Sequence, residues 1–351
     1  MQLLPEPEAH GRRGYNHAMA RSRLLLGGLL VACALFAVWQ DAAVGQGRAP
    51  VTAVASPDGK LVLSSLGSAV PKLTDPTIGA TRPCGFRHSG VSYDHVMWVF
   101  MENESLSSII GAPDAPFANL LARRCGLATD YYAVGHPSLP NYLAATGGTT
   151  AGVSDDGEPA AHPVSGQSIF SQVDSHHLTW RSYAESMPVD CDTVTSGDYA
   201  ARHNPAVYYT ALRKACARYD VPMGPISTGA LHQALYTGRL ANFVFVTPNI
   251  CDDAHSCPVA HGDEWLSRFL TMVFASPTYA DGHLVVFLVS DEGNSTNQVP
   301  LIVAAPSVPA GRRSAGSFDH YSLLGTTERL LGLFLLLNAA RAPLMVTAFN
   351  L

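Results

Sequence analysis

Two runs in this chain contain no polar residue: Val96-Met97-Trp98-Val99-Phe100-Met101 and Leu284-Val285-Val286-Phe287-Leu288-Val289. A strand points successive side chains to opposite faces, so a run that is apolar throughout has to be covered on both of them. Strands of that kind belong to parallel sheets flanked by helices. Phe243-Val244-Phe245-Val246 repeats the pattern, and residues 299–304 add a fourth run. Between them, residues 116–125, the stretch from Leu143 to Gly147-Gly148, residues 264–275 and residues 321–335 read as helices. The alternation predicts an α/β fold with a mostly parallel central sheet and helices on both faces. The apolar run 330–337 is too short to cross a bilayer and reads as a core helix.

The chain has 351 residues, 47% of them hydrophobic and only 14% charged, enough for a large buried core. Its net charge is -6 and it has no long Lys/Arg run, so it lacks the electrostatic footprint of a nucleic-acid binder. Residues 24–39 are almost continuously apolar and follow Arg21-Ser22-Arg23, the pattern of an export signal. We therefore expect residues 1–45 to be a signal cleaved near Ala43 or Gly45, with Met19 an alternative start and secretion the destination. An uncleaved membrane anchor, or lipid attachment at Leu30-Val31-Ala32-Cys33, is the competing expectation. Residues 46–83, rich in Ala, Ser, Pro, Gly and Thr, read as a linker to a catalytic body spanning 84–351.

Six cysteines follow the signal. An even number in an exported chain implies disulfides, and of the fifteen possible connectivities the simplest joins sequence neighbours: Cys84 with Cys125, Cys191 with Cys216, and Cys251 with Cys257. A zinc cluster is the weaker reading, since no C-x-x-C pair occurs.

The chemistry-bearing residues gather at predicted strand ends. The first run delivers Glu102-Asn103 and the second delivers Ser290-Asp291-Glu292-Gly293, and in an open α/β sheet ligands bind beyond the carboxyl ends of the strands. Carboxylate and amide oxygens suit a hard divalent cation. His136-Pro137-Ser138-Leu139-Pro140-Asn141-Tyr142 sets a lone serine between two prolines, and that serine becomes a nucleophile only where a metal or base eases loss of its proton. No G-x-S-x-G elbow surrounds it, so a lipase-type triad is disfavoured. Asp253 and His255, inside the Cys251 to Cys257 loop, could be a second metal pair or a proton donor with its orienting carboxylate. His320 and His203 are further candidates, whereas His176, His177 and His232 read as surface or packing residues.

These motifs, with Arg202-His203-Asn204-Pro205, Gly262-Asp263-Glu264-Trp265 and Thr327-Glu328, together resemble the bacterial phosphoesterase family of the alkaline phosphatase superfamily. That family holds secreted acid phosphatases and phospholipases C. The likeness covers most of residues 84–337 and is greatest to compact secreted acid phosphatases, phosphatidylinositol 3-phosphate phosphatases among them. It implies an alkaline-phosphatase-like fold and a secreted phosphomonoesterase with a phosphoseryl intermediate at Ser138. It further implies a divalent metal held by Glu102, Asn103, Ser138, Asp291 and Glu292, and a phosphate ester substrate such as a phosphoinositide or other phospholipid headgroup. Two-zinc relatives carry Asp-His where this chain has Asp291-Glu292, which favours one metal, with His203, Asp253, His255 and His320 stabilising charge or moving protons. A phospholipase C acting on diesters and an inactive binding protein on the same fold are the alternatives.

Overall fold

The computed structural model describes residues 54–55, 61–62, 82–88 and 90–351. The chain divides into two units, Met1–Ala69 and Val70–Leu351. In the first, Val54–Ala55 pairs antiparallel with Leu61–Val62. The expected export signal and most of the expected linker lie outside the described residues. Among the described residues no helix is long and apolar enough to cross a membrane.

The second unit is built on an eight-stranded sheet. Its strands are β1 His95–Met101, β2 Gly126–Ala128, β3 Trp180–Ala184, β4 Asp220–Pro222, β5 Phe243–Thr247, β6 Leu284–Ser290, β7 Leu301–Ala304 and β8 Arg312–Ser314. They lie in the order β8-β2-β7-β6-β1-β5-β3-β4, and all run one way except β7, which is antiparallel to both neighbours. The two apolar runs recognised in the sequence are adjacent at the centre, in register from His95 opposite Leu284 to Met101 opposite Ser290.

Among the described residues six α-helices have seven residues or more: α1 Pro116–Arg124, α2 Ser138–Gly147, α3 Ile169–Ser175, α4 Ala230–Tyr236, α5 Val259–Phe274 and α6 His320–Leu330. The period-2 alternation of β1 explains why helices cover both faces. Trp98 and Phe100 point to α2 and α6: Trp98 Nε1 donates to Thr327 Oγ1 at 2.9 Å, and Phe100 packs on Tyr142 and His320. Met101 points the other way, to Gly262 on α5. Each fully buried aromatic of this kind contributes about 1.5–3 kcal/mol of transfer free energy, so the centre of the sheet is a rigid base for whatever its strand ends carry.

Asp263 of α5 fixes α1 in place by accepting from the Phe117 and Ala118 N–H groups, both at 2.8 Å. A carboxylate from another helix thus caps two of the donors that α1 cannot satisfy itself. The three expected disulfides, Cys84–Cys125, Cys191–Cys216 and Cys251–Cys257, are present. The reading of 330–337 as a core helix is corrected: α6 ends at Leu330, Gly332 takes φ +70, and Phe334 and Leu337 are 80% and 63% exposed. A residue at positive φ cannot continue a right-handed helix, and glycine takes that conformation without a Cβ penalty.

Candidate active site

The carboxyl ends of β6, β1 and β5 lie side by side, and backbone bonds carry their alignment into the loops beyond. Asp291 N–H donates to Met101 O and Glu102 N–H donates to Asp253 O, both at 2.9 Å. Three acids from distant parts of the chain are brought together in this way. Asn103 turns back at φ 58, a conformation asparagine tolerates, and its N–H donates to Asp291 Oδ1 at 3.0 Å. Glu102, Asp253 and Asp291 are all completely buried.

Ser138 enters from above as the first residue of α2. Its Oγ donates to Glu102 Oε2 at 3.2 Å, while Tyr142, one turn on, donates its hydroxyl to Glu102 Oε1. The loop before Ser138 is held by Asn141, which accepts from Val134 and Gly135 N–H and donates to the Gly135 and Pro137 carbonyls. Both prolines are compatible with the helix start. Pro137 is the N-cap, and Pro140 falls in the first turn, where an N–H has no intrahelical partner to lose.

His203 lies between two acids, its Nε2 3.3 Å from Glu102 Oε2 and its Nδ1 3.3 Å from Asp253 Oδ2. Burial, then the nearby Arg202 and His255, holds its pKa well below the ordinary histidine value, so the ring is neutral. A neutral imidazole carries one N–H. At least one nitrogen therefore turns a lone pair toward a carboxylate, and neither forms a proper hydrogen bond. Asp253 Oδ2 and Asp291 Oδ2 are likewise buried without partners. A cation would resolve the conflicts at His203 and Asp253. Glu102, His203 and Asp253 each present a ligand atom within 4.8 Å of the others, a span that one divalent ion bridges.

The carboxylates respond to this crowding. Burial, then Asp291 and Asp253, raises the pKa of Glu102 well above its usual value; burial lifts Asp253 to about 8 and Asp291 to about 6. Burial and the charge of Asp291 push Glu292 up to about 7. A bound cation reverses these shifts, because a ligand must be deprotonated to coordinate, and binding releases protons.

The structure thus gathers Glu102, Ser138, His203, Asp253 and Asp291 into one centre. Other expected site residues are placed differently. Asn103 joins through its main chain, and its side chain is exposed. Glu292 accepts from His136 Nδ1 at 2.8 Å, at the half-exposed rim. Asp253, expected either in a metal pair or as the carboxylate orienting a proton donor, faces His203 in the cation-fitting group, and its other oxygen takes the His255 N–H. His320 is fully engaged: Nε2 donates to the Asp291 carbonyl at 2.5 Å, and Nδ1 accepts from Tyr131 OH at 2.9 Å. Burial lowers its pKa to about 4, so the ring is neutral, and its two bonds tie the Asp291 loop to Tyr131. His255 Nε2 lies 3.1 Å from Arg202 Nη2; a guanidinium only donates, so this nitrogen accepts and the ring proton sits on Nδ1, toward Ser256 Oγ.

Sequence reasoning missed Tyr142, His136, Arg202 and Asp156. The first three lay within motifs already singled out; Asp156 lay in Asp155-Asp156-Gly157, which carries only the signal of an ordinary turn. The Gly262-Asp263-Glu264-Trp265 motif supports the site from outside. A Cβ at Gly262 would meet Ala254 Cβ at 3.1 Å, so glycine lets the Asp253 loop pack on α5.

The chain is similar to known proteins in both sequence and fold. The phosphoesterase family profile matches residues 112–334. The phosphatidylinositol-3-phosphatase of Mycobacterium tuberculosis is 32% identical over 290 residues, covering 80% of this chain and 91% of that protein. The phosphate-repressible acid phosphatase of Penicillium chrysogenum is 27% identical over 258 residues, covering 70% of this chain and 60% of its own length. Among solved structures, a protein in the alkaline phosphatase superfamily from Vibrio parahaemolyticus superposes with TM-score 0.50 at 11% identity, covering 72% of this chain and 71% of the other. The lipoteichoic acid synthase LtaP from Listeria monocytogenes superposes with TM-score 0.51 at 12% identity, covering 72% and 77%. The chain belongs to the phosphoesterase family and is a phosphoric ester hydrolase.

Proposed function

We propose that this protein is an exported, metal-dependent phosphomonoesterase that works through a phosphoseryl intermediate on Ser138. The observation that carries the reading is the placement of Ser138 Oγ, at the start of α2 and 3.2 Å from Glu102 Oε2, beside a buried group of acids and a histidine whose conflicts a cation would resolve. Glu102, Asp253 and His203 would hold the ion, with Asp291 adjoining them. Once bound, it supplies positive charge that favours the Ser138 alkoxide and offsets charge on the phosphoryl oxygens.

The chain's own residues do the rest. Glu102 accepts the Ser138 hydrogen bond and so orients Oγ, and the serine proton leaves to water. Asn141 and Tyr142 fix the approach of Oγ, and the partial positive charge at the start of α2 favours the incoming anion. Ser138 attacks phosphorus in line, the ester oxygen departs, and water then releases phosphate from the serine. Export is supported by the apolar N-terminal run and by the three disulfides, which persist in oxidising compartments.

The test is hydrolysis of p-nitrophenyl phosphate by the purified chain, stripped of metal and then supplied with Mg²⁺, Mn²⁺, Ca²⁺ or Zn²⁺ in turn. Bis(p-nitrophenyl) phosphate and phosphatidylcholine are assayed in parallel, with phosphatidylinositol 3-phosphate as the lipid monoester suggested by the mycobacterial relative. Metal-dependent turnover of the monoesters is expected. Turnover confined to the diesters would replace this reading with a phospholipase C, and phosphate binding with no turnover under any metal would replace it with a binding protein.

A further inference from the structure

Next to Ser138, at the mouth of the site, lies an anion the proposed reaction does not use. Asp156 Oδ1 accepts from the Leu139 N–H at 2.9 Å, at the start of α2. Its Oδ2 lies 3.7 Å from Arg202 Nε, and Arg202 in turn reaches His255 through Nη2. The side chains of Arg202 and Asp156 are 21% and 34% exposed, so the pair sits where the cluster opens to solvent.

A phosphoryl group attacked by Ser138 Oγ needs donors for its oxygens immediately beside that serine. A main-chain N–H one residue on and a guanidinium are donors of that kind, and a guanidinium matches phosphate oxygens in pairs. In this structure both of them face the Asp156 carboxylate. We propose that Arg202 and the Leu139 N–H recognise the phosphoryl group, and that Asp156 is a resident anion holding their place until substrate displaces it.

This inference rests on the phosphomonoesterase reading and adds a source of selectivity to it. The displaced group is a single negative charge. A phosphomonoester dianion brings two charges to Arg202, whereas a phosphodiester brings one and gains little by the exchange. Asp156 therefore favours monoesters. The exchange also needs no loop to open. Asp155 Oδ1 accepts from Gly157 N–H and lies 2.5 Å from His162 Nε2, while Gly157 O accepts from Tyr208 OH, so the backbone on either side of Asp156 is anchored and only its side chain has to rotate. At 3.7 Å, partly exposed, the ion pair holding it is weak and screened.

The experiment is calorimetric titration of inorganic phosphate into the wild-type protein, Asp156→Asn, Asp156→Ser and Arg202→Met, each with Mg²⁺, Mn²⁺, Ca²⁺ and Zn²⁺ in turn and each checked by thermal unfolding. Removing the competing charge is expected to tighten phosphate binding about fivefold in both Asp156 variants. Arg202→Met is expected to weaken it at least about tenfold. In steady state, kcat/KM for bis(p-nitrophenyl) phosphate should rise relative to p-nitrophenyl phosphate in Asp156→Asn, a ratio that a merely structural role for Asp156 would leave alone. Unchanged or weaker phosphate binding in both Asp156 variants, or unchanged binding in Arg202→Met, overturns the proposal. Because the titration reads binding directly, its failure is distinct from failure of the functional reading, which shows as absent monoester turnover in the wild type.

Discussion

Asn141 should control both the stability of the site and its rate. It is completely buried, and its amide makes four bonds, at 2.9, 3.0, 2.9 and 3.1 Å, all to backbone groups of residues 134–137. Asn141→Ala leaves those groups without their partner where water has little access, at about 1 kcal/mol of net stability per bond. Asn297 Nδ2 still donates to Gly135 O at 2.9 Å, so one of the four keeps a partner and the expected loss is about 3 kcal/mol. The kinetic effect is of similar size, because these residues run directly into Ser138. A displacement of about 1 Å at a reacting atom can cost about a hundredfold in rate. We expect kcat for p-nitrophenyl phosphate to fall by about that factor, with KM moving much less. Urea unfolding followed by tryptophan fluorescence gives the first quantity and steady-state kinetics the second. A loss below about 1 kcal/mol together with normal kcat in Asn141→Ala would refute the view that this side chain positions the serine.

Three further outcomes are expected. Asp263→Ala should lose about 2 kcal/mol in urea, because two buried N–H groups of α1 lose a charged acceptor, while kcat stays near wild type; unchanged stability would remove its capping role. Burial raises the Glu328 pKa from 4.5 to about 8, so the folded state keeps a proton that the unfolded chain releases. Its contribution to stability is present below about pH 4.5 and drains away as pH rises toward 8; Glu328→Gln should flatten urea-unfolding stability across that window, and an unaltered slope would contradict it. The Cys251–Cys257 bridge closes a separation of 6 residues against 41 for Cys84–Cys125, so loss of the former should harm stability less. It brackets Asp253 and His255, so the Cys251→Ser/Cys257→Ser variant should lose activity more than its stability change explains; wild-type kinetics would show that the loop holds its shape unaided.

The central strands were legible because burial on both faces leaves no room for polar residues, and β1, β5 and β6 carry that mark along their length. The direction of β7 was not legible, since composition says where a strand is buried but not which way it runs. β3, Trp180-Arg181-Ser182-Tyr183-Ala184, was missed because a polar pair interrupts five residues. The early start of α2 was hidden by Pro137 and Pro140, which read as a turn although the first turn of a helix accepts proline. Similarly, α5 starts at Val259 behind its N-cap Pro258, five residues ahead of the start at 264 read from the sequence. At the site, the acids were visible as polar residues ending apolar strands. What the sequence could not supply was which loops meet: the pairing of β5 beside β1 brings Asp253, and that of β3 beside β5 brings His203, against Glu102.

The most direct test is to trap the covalent intermediate. The wild-type protein, supplied with the cation that supports turnover and with ³²P-labelled phosphomonoester, is quenched in acid within the first turnovers and its peptides are mapped by mass spectrometry. The account predicts labelled phosphate on the peptide containing Ser138, and no label in Ser138→Ala, which also fails to turn over. Label on another residue, or wild-type-like turnover by Ser138→Ala, would contradict it.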